Sequence, residues 1–534
     1  MGRWEVVSAI RFFIRRVAFG LPSIRERVSV VRPTLPPREA FAKLLLEYRK
    51  EKCPYAGSHE LPPLSRIERS TANWLVLAAM PKLLLITAAS VEIRRARRSR
   101  FLNFQQITMP YLAARVPSDW QVTHVDEEAE SINWTDKPNL VGITFHTPSA
   151  YHAYRLAAEF RARGVCVVLG GPHVTLLPEE AGRHADVIFI GEAEGLWEEF
   201  LDAFATGTYR RVYRSAGPLS LAGVPMARKT LYHRNDFTSG VLFATRGCPN
   251  KCAFCAIPVM YPGGFRKRSV AEVAAEYGSF PGKRIIFWDD NITADKQYAK
   301  DLFRAITPYR KWWSGQATIH AARDDELLEA AARSGCKQLF LGLESVSQSS
   351  MEEVRKRFNR VEEYAHMINR IHAHGIAVQA GIVFGFDHDT PAIFKDTVDF
   401  LEESGVQNAT FNILTPYPGT PLFQKLDAQE RILTRDWRKY NGRTDVVFQP
   451  SRMSVQELLA GFQYANRRFC SLSSVLKRLS ISPVQLWWTL PLNLAYVVSW
   501  IRAERDVYTR MATPESNLRQ LGTLLPDGRL GSTE

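Results

Sequence analysis

Short apolar runs alternate with helical stretches twice along this chain, and that alternation constrains the fold more than any other feature. The first series comprises KLLLITA (82–88), LVGITF (140–145), VCVVLGG (165–171) and DVIFIGE (186–192). Between these runs AYHAYRLAAEFRARG (150–164) has helical period, and EEAGRHA (179–185) reads as a shorter helix. Strands that alternate with helices build a parallel sheet covered on both faces. Ligands of such sheets bind beyond the carboxyl ends of the strands, where Thr144, Thr147, Gly170, Gly171, Gly191 and Glu192 fall.

The second series runs GVLFAT (240–245), RIIFWD (284–289), ATIHA (317–321), QLFLGLE (338–344), AVQAGIVFGF (377–386) and NATFNILTP (408–416). Helices are expected at 269–277, 295–306, 324–334, 348–357, 361–374 and 391–404. Six such units make a partial (β/α)6 TIM-like barrel, with chemistry on the loops that follow the strands. The expected class is therefore α/β. A doubly wound, Rossmann-like parallel sheet spans 81–215, a linker 216–236, the barrel 237–444 and a mainly helical region 445–534.

A chain of 534 residues exceeds one ordinary core, which agrees with several domains. Its net charge of +14 suits an anionic partner without choosing among nucleic acid, acidic lipid and phosphate-bearing cofactors. Residues 1–80 form a basic extension, in which Arg11, Arg15 and Arg16 leave Ile10, Phe13, Ile14 and Val17 to another face. A helix of this kind either lies on a membrane surface or packs on the protein's own body. Residues 5–21 interleave arginines with apolar residues and lack a secretory h-region, so a cytoplasmic chain is expected. Leu479 to Ile501 carries no charge, yet Pro483, Gln485, Pro491 and Asn493 interrupt it. Burial or an in-plane membrane contact is expected there in preference to a spanning helix.

Seven cysteines, Cys53, Cys166, Cys248, Cys252, Cys255, Cys336 and Cys470, are too unevenly spread for a disulfide framework. Three of them stand in RGCPNKCAFC (246–255), directly after an expected strand. The spacing C-x3-C-x2-C lets three thiolates hold one corner set of a 4Fe–4S cubane and leaves the fourth iron open. A structural zinc or ferredoxin site would want a fourth ligand, and no other cysteine has a suitable spacing.

On these residues the chain resembles the radical S-adenosylmethionine (SAM) superfamily. The resemblance implies that Cys248, Cys252 and Cys255 hold the cluster and that SAM chelates the open iron. Reductive cleavage of SAM would then give a 5′-deoxyadenosyl radical. It also implies roles around the barrel mouth. Phe254 would pack by the adenine. Asp290 and Asn291, with Asp289, would receive the SAM amino group, although Asn291 equally suits a helix cap. Gln316 lies on the third strand. Glu344 and Ser345 would hold ribose hydroxyls, and Gly381 and Val383, in GIVFG, would admit the adenine close to the backbone. Arg268, with Arg266, would pair with the SAM carboxylate or else lie on a solvated loop.

The combination VGITFHT, AYRLAAEFRARG, VVLGGPHVT and ADVIFIGEAE resembles the cobalamin-binding domains fused ahead of radical SAM domains. Asp126-Glu127, MPYLAARVP (109–117), TPYPGTPL (415–422) and DVVFQPSRMS (445–454) fit the same family. The D-x-H-x-x-G motif, whose histidine ligates cobalt, does not occur; His146, His152 and His173 are wrongly placed for it. The resemblance implies a cobalamin-dependent C-methyltransferase acting on an unactivated carbon of a small-molecule or lipid-like substrate. Its electron donor would be a flavodoxin or ferredoxin. Radical cyclisation, C–C coupling or rearrangement is the alternative, and a non-catalytic cobalamin or redox sensor a further one. No RNA-binding signature is appended, so nucleic acid is not expected. No residue stands out as a proton donor or acceptor.

Overall fold

The computed structural model describes residues 80–89, 106–215, 217, 219–232 and 240–503, all within one compact unit. The basic segment carrying Arg11, Arg15 and Arg16 lies outside the described residues.

Six parallel strands form the first sheet: β1 (Lys82–Thr87), β2 (Gln121–Asp126), β3 (Leu140–Thr144), β4 (Cys166–Gly170), β5 (Val187–Ile190) and β6 (Val212–Arg214). Their order is β2-β1-β3-β4-β5-β6, so the winding reverses between β1 and β3. A crevice opens at such a switch point, here beyond Thr87 and Thr144. All five residues of β3 are buried, as a continuous apolar run in a two-faced sheet requires. Helix α1 (Ala150–Ala162) turns Ala153, Leu156, Ala157 and Phe160 inward, and α2 (Leu196–Thr206) turns Trp197, Phe200 and Leu201 inward. The edge strand β2 was not expected from sequence. It alternates exposed and buried residues, and polar Gln121, Thr123 and His124 hide its period.

The second sheet contains β7 (Gly240–Leu242), β10 (Arg284–Phe287), β11 (Trp312–Ala317), β12 (Cys336–Glu344), β13 (Ala377–Phe384) and β14 (Asn408–Ile413), all parallel. A two-residue hairpin, β8 (Thr245–Arg246) with β9 (Arg266–Lys267), stands beside it. The order β14-β13-β12-β11-β10-β7 leaves the barrel open between β14 and β7. Helices α3 (Val270–Ser279), α4 (Lys296–Ile306), α5 (Asp325–Arg333), α6 (Tyr364–Ala373) and α7 (Ala392–Glu403) alternate with the strands. Ser269, Asp295 and Asp324 cap the first three through hydrogen bonds from the backbone N–H groups of Glu272, Tyr298 and Leu327.

One strand sits earlier than expected. The sequence pointed to ATIHA (317–321), whereas β11 is WWSGQA and Ile319–Arg323 is a 3-10 turn. Trp313, Gly315 and Ala317 pack outward against the helices, while Ser314 and Gln316 face the barrel interior. Polar inward residues break the apolar run on which the sequence reading relied.

The C-terminal region is helical, with α8 (Val455–Phe469), α9 (Leu472–Ile481) and α10 (Leu486–Ala503). Among the described residues no helix is long and apolar enough to cross a membrane. Chain segments also tie the two sheets together. Trp437, Tyr440 and Val447, which follow the barrel, are buried in the core of the first sheet. The expected linker packs as well: Leu221, Val224 and Ala227 are buried with Tyr111 and Phe243, and Ala227 N–H donates to Glu276 Oε1 at 2.8 Å.

Candidate active site at the facing ends of the two sheets

The cysteine loop leaves β7 under tight backbone control. Asp289, at the end of β10 and 1% exposed, accepts hydrogen bonds from Ala244 N (3.1 Å), Thr245 N (2.5 Å) and Thr245 Oγ1 (2.6 Å). Burial lifts its carboxyl to about 7 against the pull of those donors. Asp290 accepts the Gly247 N–H at 2.9 Å, and burial raises its pKa too. Gly247 has φ +81°, and a Cβ there would meet Gly264 O at 2.2 Å, so only glycine fits where the loop folds back on the hairpin. Beyond it Ala253 N–H donates to Val354 O and Ala253 O accepts from Leu422 N, each at 2.9 Å. Phe254 packs on the barrel core, its ring 6.1 Å from that of Phe386.

Burial pushes the thiols of Cys252 and Cys255 up to about 11 and 12, and that of Cys248 upward as well. Lys356 supplies the cationic field that opposes this at Cys248 and Cys252. One ammonium cannot balance three thiolates in so dry a place, whereas cluster iron can. Among the described residues no three His, Cys, Asp or Glu side chains close on a single ion. A cubane sets a different requirement, because each of its thiolates binds a different iron and they stand farther apart than ligands sharing one ion. The residues present fit the cluster.

Glu344 sits at a register irregularity of β12 with φ +67°, a strained backbone for a non-glycine residue. Lys356 Nζ holds its Oε1 at 2.6 Å and also donates to Gly342 O at 3.0 Å. Sequence reading missed Lys356, which no motif spacing marks. Ser345 is buried and accepts the Ser347 N–H, and Asn291 Oδ1 accepts from Thr293 N and Oγ1, so both close local turns. Gly381 makes room for Phe340, whose Cζ would lie 2.8 Å from a Cβ there, and Val383 packs on the core.

Arg268 corrects an expectation. It is 2% exposed and spends its guanidinium on Glu276 Oε2 at 2.6 Å and on the carbonyl of Phe243 at 3.0 Å. It stands on the short connection between β9 and α3, but its side chain is committed to a core ion pair, which leaves it neither solvated nor free for the SAM carboxylate. Arg266 turns to the first sheet, where its Nη1 meets Glu192 Oε2 at 2.6 Å. Arg246, two residues before Cys248, meets Glu192 Oε1 at 2.6 Å and Glu194 Oε1 at 2.7 Å. Glu192 therefore clasps the cysteine hairpin to the loop after β5.

A cavity of about 740 Å³ joins the two halves. Thr144, Gly170, Gly171, Gly191 and Glu192 line it from the first sheet; Arg246, Asp290 and Gln316 line it from the barrel. The three cysteines, Phe254, Glu344, Ser345, Gly381, Val383 and Thr147 lie outside that lining. Gly171 has φ +96°, and a Cβ there would stand 2.2 Å from Thr144 Oγ1, so the ends of β3 and β4 present bare backbone to the crevice. Deeper in, Gly142, Val168, Phe189 and Trp197 form the wall. Trp197 is 1% exposed, and its Nε1 has no hydrogen-bond partner among the described residues. A buried donor without an acceptor is costly, and a polar group inserted here would relieve it. A nucleotide-tailed cofactor such as cobalamin fits this crevice. His173 has both ring nitrogens engaged, by Thr147 at 3.2 Å and Glu180 at 3.3 Å, and His152 meets Glu127 at 2.6 Å; neither lines the cavity, whereas His146 does.

Comparison with known proteins agrees with this arrangement. The radical SAM superfamily pattern matches residues 242–401. Bacteriochlorophyllide d C-8(2)-methyltransferase of Chlorobaculum tepidum is 31% identical over 352 residues, spanning 62% of this chain and 78% of that protein. The chain belongs to the radical SAM superfamily. Within that superfamily, bacteriochlorophyllide d C-12(1)-methyltransferase of the same organism is 29% identical over 471 residues, covering 86% of this chain and 98% of its own. Two solved structures share the fold. OxsB, with aqua-cobalamin and SAM bound, superposes with a TM-score of 0.56 at 13% identity, covering 88% of this chain and 80% of that one. TsrM from Kitasatospora setae, with cobalamin and a 4Fe–4S cluster bound, gives 0.54 at 16% identity, covering 65% and 78%.

Proposed function

We propose that this chain is a cobalamin-dependent radical SAM methyltransferase acting on an unactivated carbon of a small-molecule or lipid-like substrate. The observation that carries the reading is the single cavity running from the switch-point crevice of the first sheet, past Arg246 and Asp290, to Gln316 inside the barrel. Methyl transfer needs both ends of such a cavity, because the carbon that loses hydrogen must also meet the methyl donor. When bound, SAM with the cluster supplies a 5′-deoxyadenosyl radical, and cobalamin supplies the methyl group.

The chain's own part is to hold and to exclude. Asp289 and Asp290 fix the loop bearing Cys248, Cys252 and Cys255 through backbone donors. Glu344, held by Lys356, presents a carboxylate suited to hydroxyl groups of SAM. Phe287, Trp288, Phe340 and Phe411 line the cavity with apolar surface and keep water from reactive species. Thr144, Gly170, Gly171 and Gly191 are proposed to meet cobalamin, and a flavodoxin or ferredoxin to deliver the electron.

The named activities of the relatives support methyl transfer. They include the two bacteriochlorophyllide methyltransferases and the hopanoid C-2 methylase of Rhodopseudomonas palustris, 26% identical over 349 residues. A second reading, radical cyclisation, is favoured by the anaerobic magnesium-protoporphyrin IX monomethyl ester cyclase of Cereibacter sphaeroides, 25% identical over 372 residues. Product analysis separates the two. Anaerobically reconstituted protein with cobalamin, SAM and substrate is expected to release S-adenosylhomocysteine and 5′-deoxyadenosine together. Deoxyadenosine alone, with substrate consumed and unmethylated, would sink methyl transfer and leave the cyclase reading.

A further inference from the structure

We infer that the amino-terminal end of the barrel is a docking surface for an anionic lipid bilayer. The inference goes beyond methyl transfer and does not depend on it. Five loops return the chain from helices α3–α7 to strands β10–β14: FPGK (280–283), TPYRK (307–311), SG (334–335), HGI (374–376) and SGVQ (404–407). They carry Lys283, Arg310 and Lys311 and not one Asp or Glu. Lys311 is spent on the carbonyls of Tyr277, Gly278 and Phe280, whereas Lys283 and Arg310 are exposed. Lys337, one residue into β12, adds a further cation. Glu403, the last residue of α7, is the exposed carboxylate beside these loops, so Lys283, Arg310 and Lys337 leave this end with an excess of positive charge.

Residues 481–487 cross this basic end. Ile481 and Ser482 abut Gly405, Gln485 Nε2 donates to Gly375 O at 2.9 Å, and the Trp487 ring lies 4.7 Å from that of Trp312. Despite those contacts Ile481, Leu486 and Trp487 stay 49%, 39% and 51% exposed. Lys337 Nζ stands 5.9 Å from the Trp487 ring and Lys283 Nζ 5.8 Å from the Trp312 ring. Leu472 and Leu476, one helical turn apart on α9, are 58% and 55% exposed.

Exposed tryptophan and aliphatic side chains flanked by lysines match the headgroup region of a bilayer, where rings sit at the interface and ammonium groups meet phosphates. A second copy of this chain offers the same surface only like charge. Helix α10 also links this end to the chemistry, because Trp488, Leu492 and Tyr496 line the cavity from its other side. Docking through Leu486 and Trp487 would bring a wall of the cavity against the membrane, which suits a lipid-like substrate.

Full-length protein should cosediment with phosphatidylcholine vesicles containing phosphatidylglycerol, at low salt, and much less with phosphatidylcholine alone. The double substitution K283E/K337E is expected to lower that affinity by about tenfold or more, since each surface cation near an anionic leaflet contributes roughly fivefold. I481S/W487S should weaken it to a similar degree with the circular dichroism spectrum unchanged; if that variant does not fold, the charge variant still decides. Unchanged vesicle affinity in the charge variant would overturn the assignment and place any binding elsewhere, the basic 1–80 extension included. Equal binding to neutral vesicles would overturn it as well. So would a dimer in analytical ultracentrifugation that W487S dissolves, which would make this face a contact between copies.

Discussion

Replacing Glu192 with alanine should loosen the cysteine hairpin. The Glu192 side chain is 6% exposed and receives Arg246 and Arg266, themselves 15% and 12% exposed, each at 2.6 Å. Removing one member of a buried ion pair leaves a charge without its counter-charge and costs about 3–5 kcal/mol. Arg246 keeps Glu194 at 2.7 Å and Arg266 Nη1 keeps the Leu219 carbonyl at 2.9 Å, so the lower end, about 3 kcal/mol, applies. That cost falls on local opening of β8 and β9. Hydrogen exchange in peptides spanning 240–268 should then rise roughly a hundredfold, with exchange in α6 and α7 unchanged. The companion variant E192L/R266M removes the charge and one of its partners together. Exchange in that variant should return most of the way to wild type, giving a coupling of at least about 1 kcal/mol. Strictly additive effects, or an E192A change below about threefold, would refute the clasp.

Other expectations follow from single contacts. Alanine at Cys248, Cys252 or Cys255 should abolish iron and sulfide incorporation on reconstitution, whereas C336A, in the barrel core, should leave both intact. W197F removes the unpartnered buried indole N–H; cobalamin affinity measured by optical titration should fall about fivefold, and an unchanged value would remove Trp197 from the cofactor site. Asp289 is raised from 3.8 to about 7 in the folded chain, which thus holds a proton that the unfolded chain releases. Its contribution to stability is fully present below about pH 4 and is lost as pH rises through about 7, and D289N should flatten that decline in urea unfolding.

Legibility tracked burial. Strands buried on both faces, such as β1, β3 and β5, are continuous apolar runs and read directly. An edge strand and a strand lining a polar cavity do not, which is why β2 passed unread and β11 was placed too late. The cysteine motif was legible because its C-x3-C-x2-C spacing is local in sequence. Arg268 misled because an arginine on a short loop looks solvated until its partner Glu276, eight residues on and 0% exposed, is placed beneath it. Arg246 matters through Glu192, 54 residues earlier in the chain, a relation that no local pattern encodes.

The uncharged segment at 479–501 shows the same logic from the other side. Its polar interruptions read as flaws in a membrane helix, yet each meets a specific group of the barrel. Gln485 Nε2 donates to Gly375 O, Asn493 Nδ2 to Gln407 O at 2.9 Å, and Trp488 Nε1 to Gln338 Oε1 at 3.1 Å. Gln379 Nε2 donates to Tyr496 Oη at 3.0 Å from inside the barrel. A barrel whose interior presents Gln338, Gln379 and Thr410 needs a closing helix that is apolar on balance and polar at fixed points. In hydrocarbon those same residues would each lack a partner. The hydrogen bonds that disqualify α10 as a span are the ones that qualify it as the floor of the cavity.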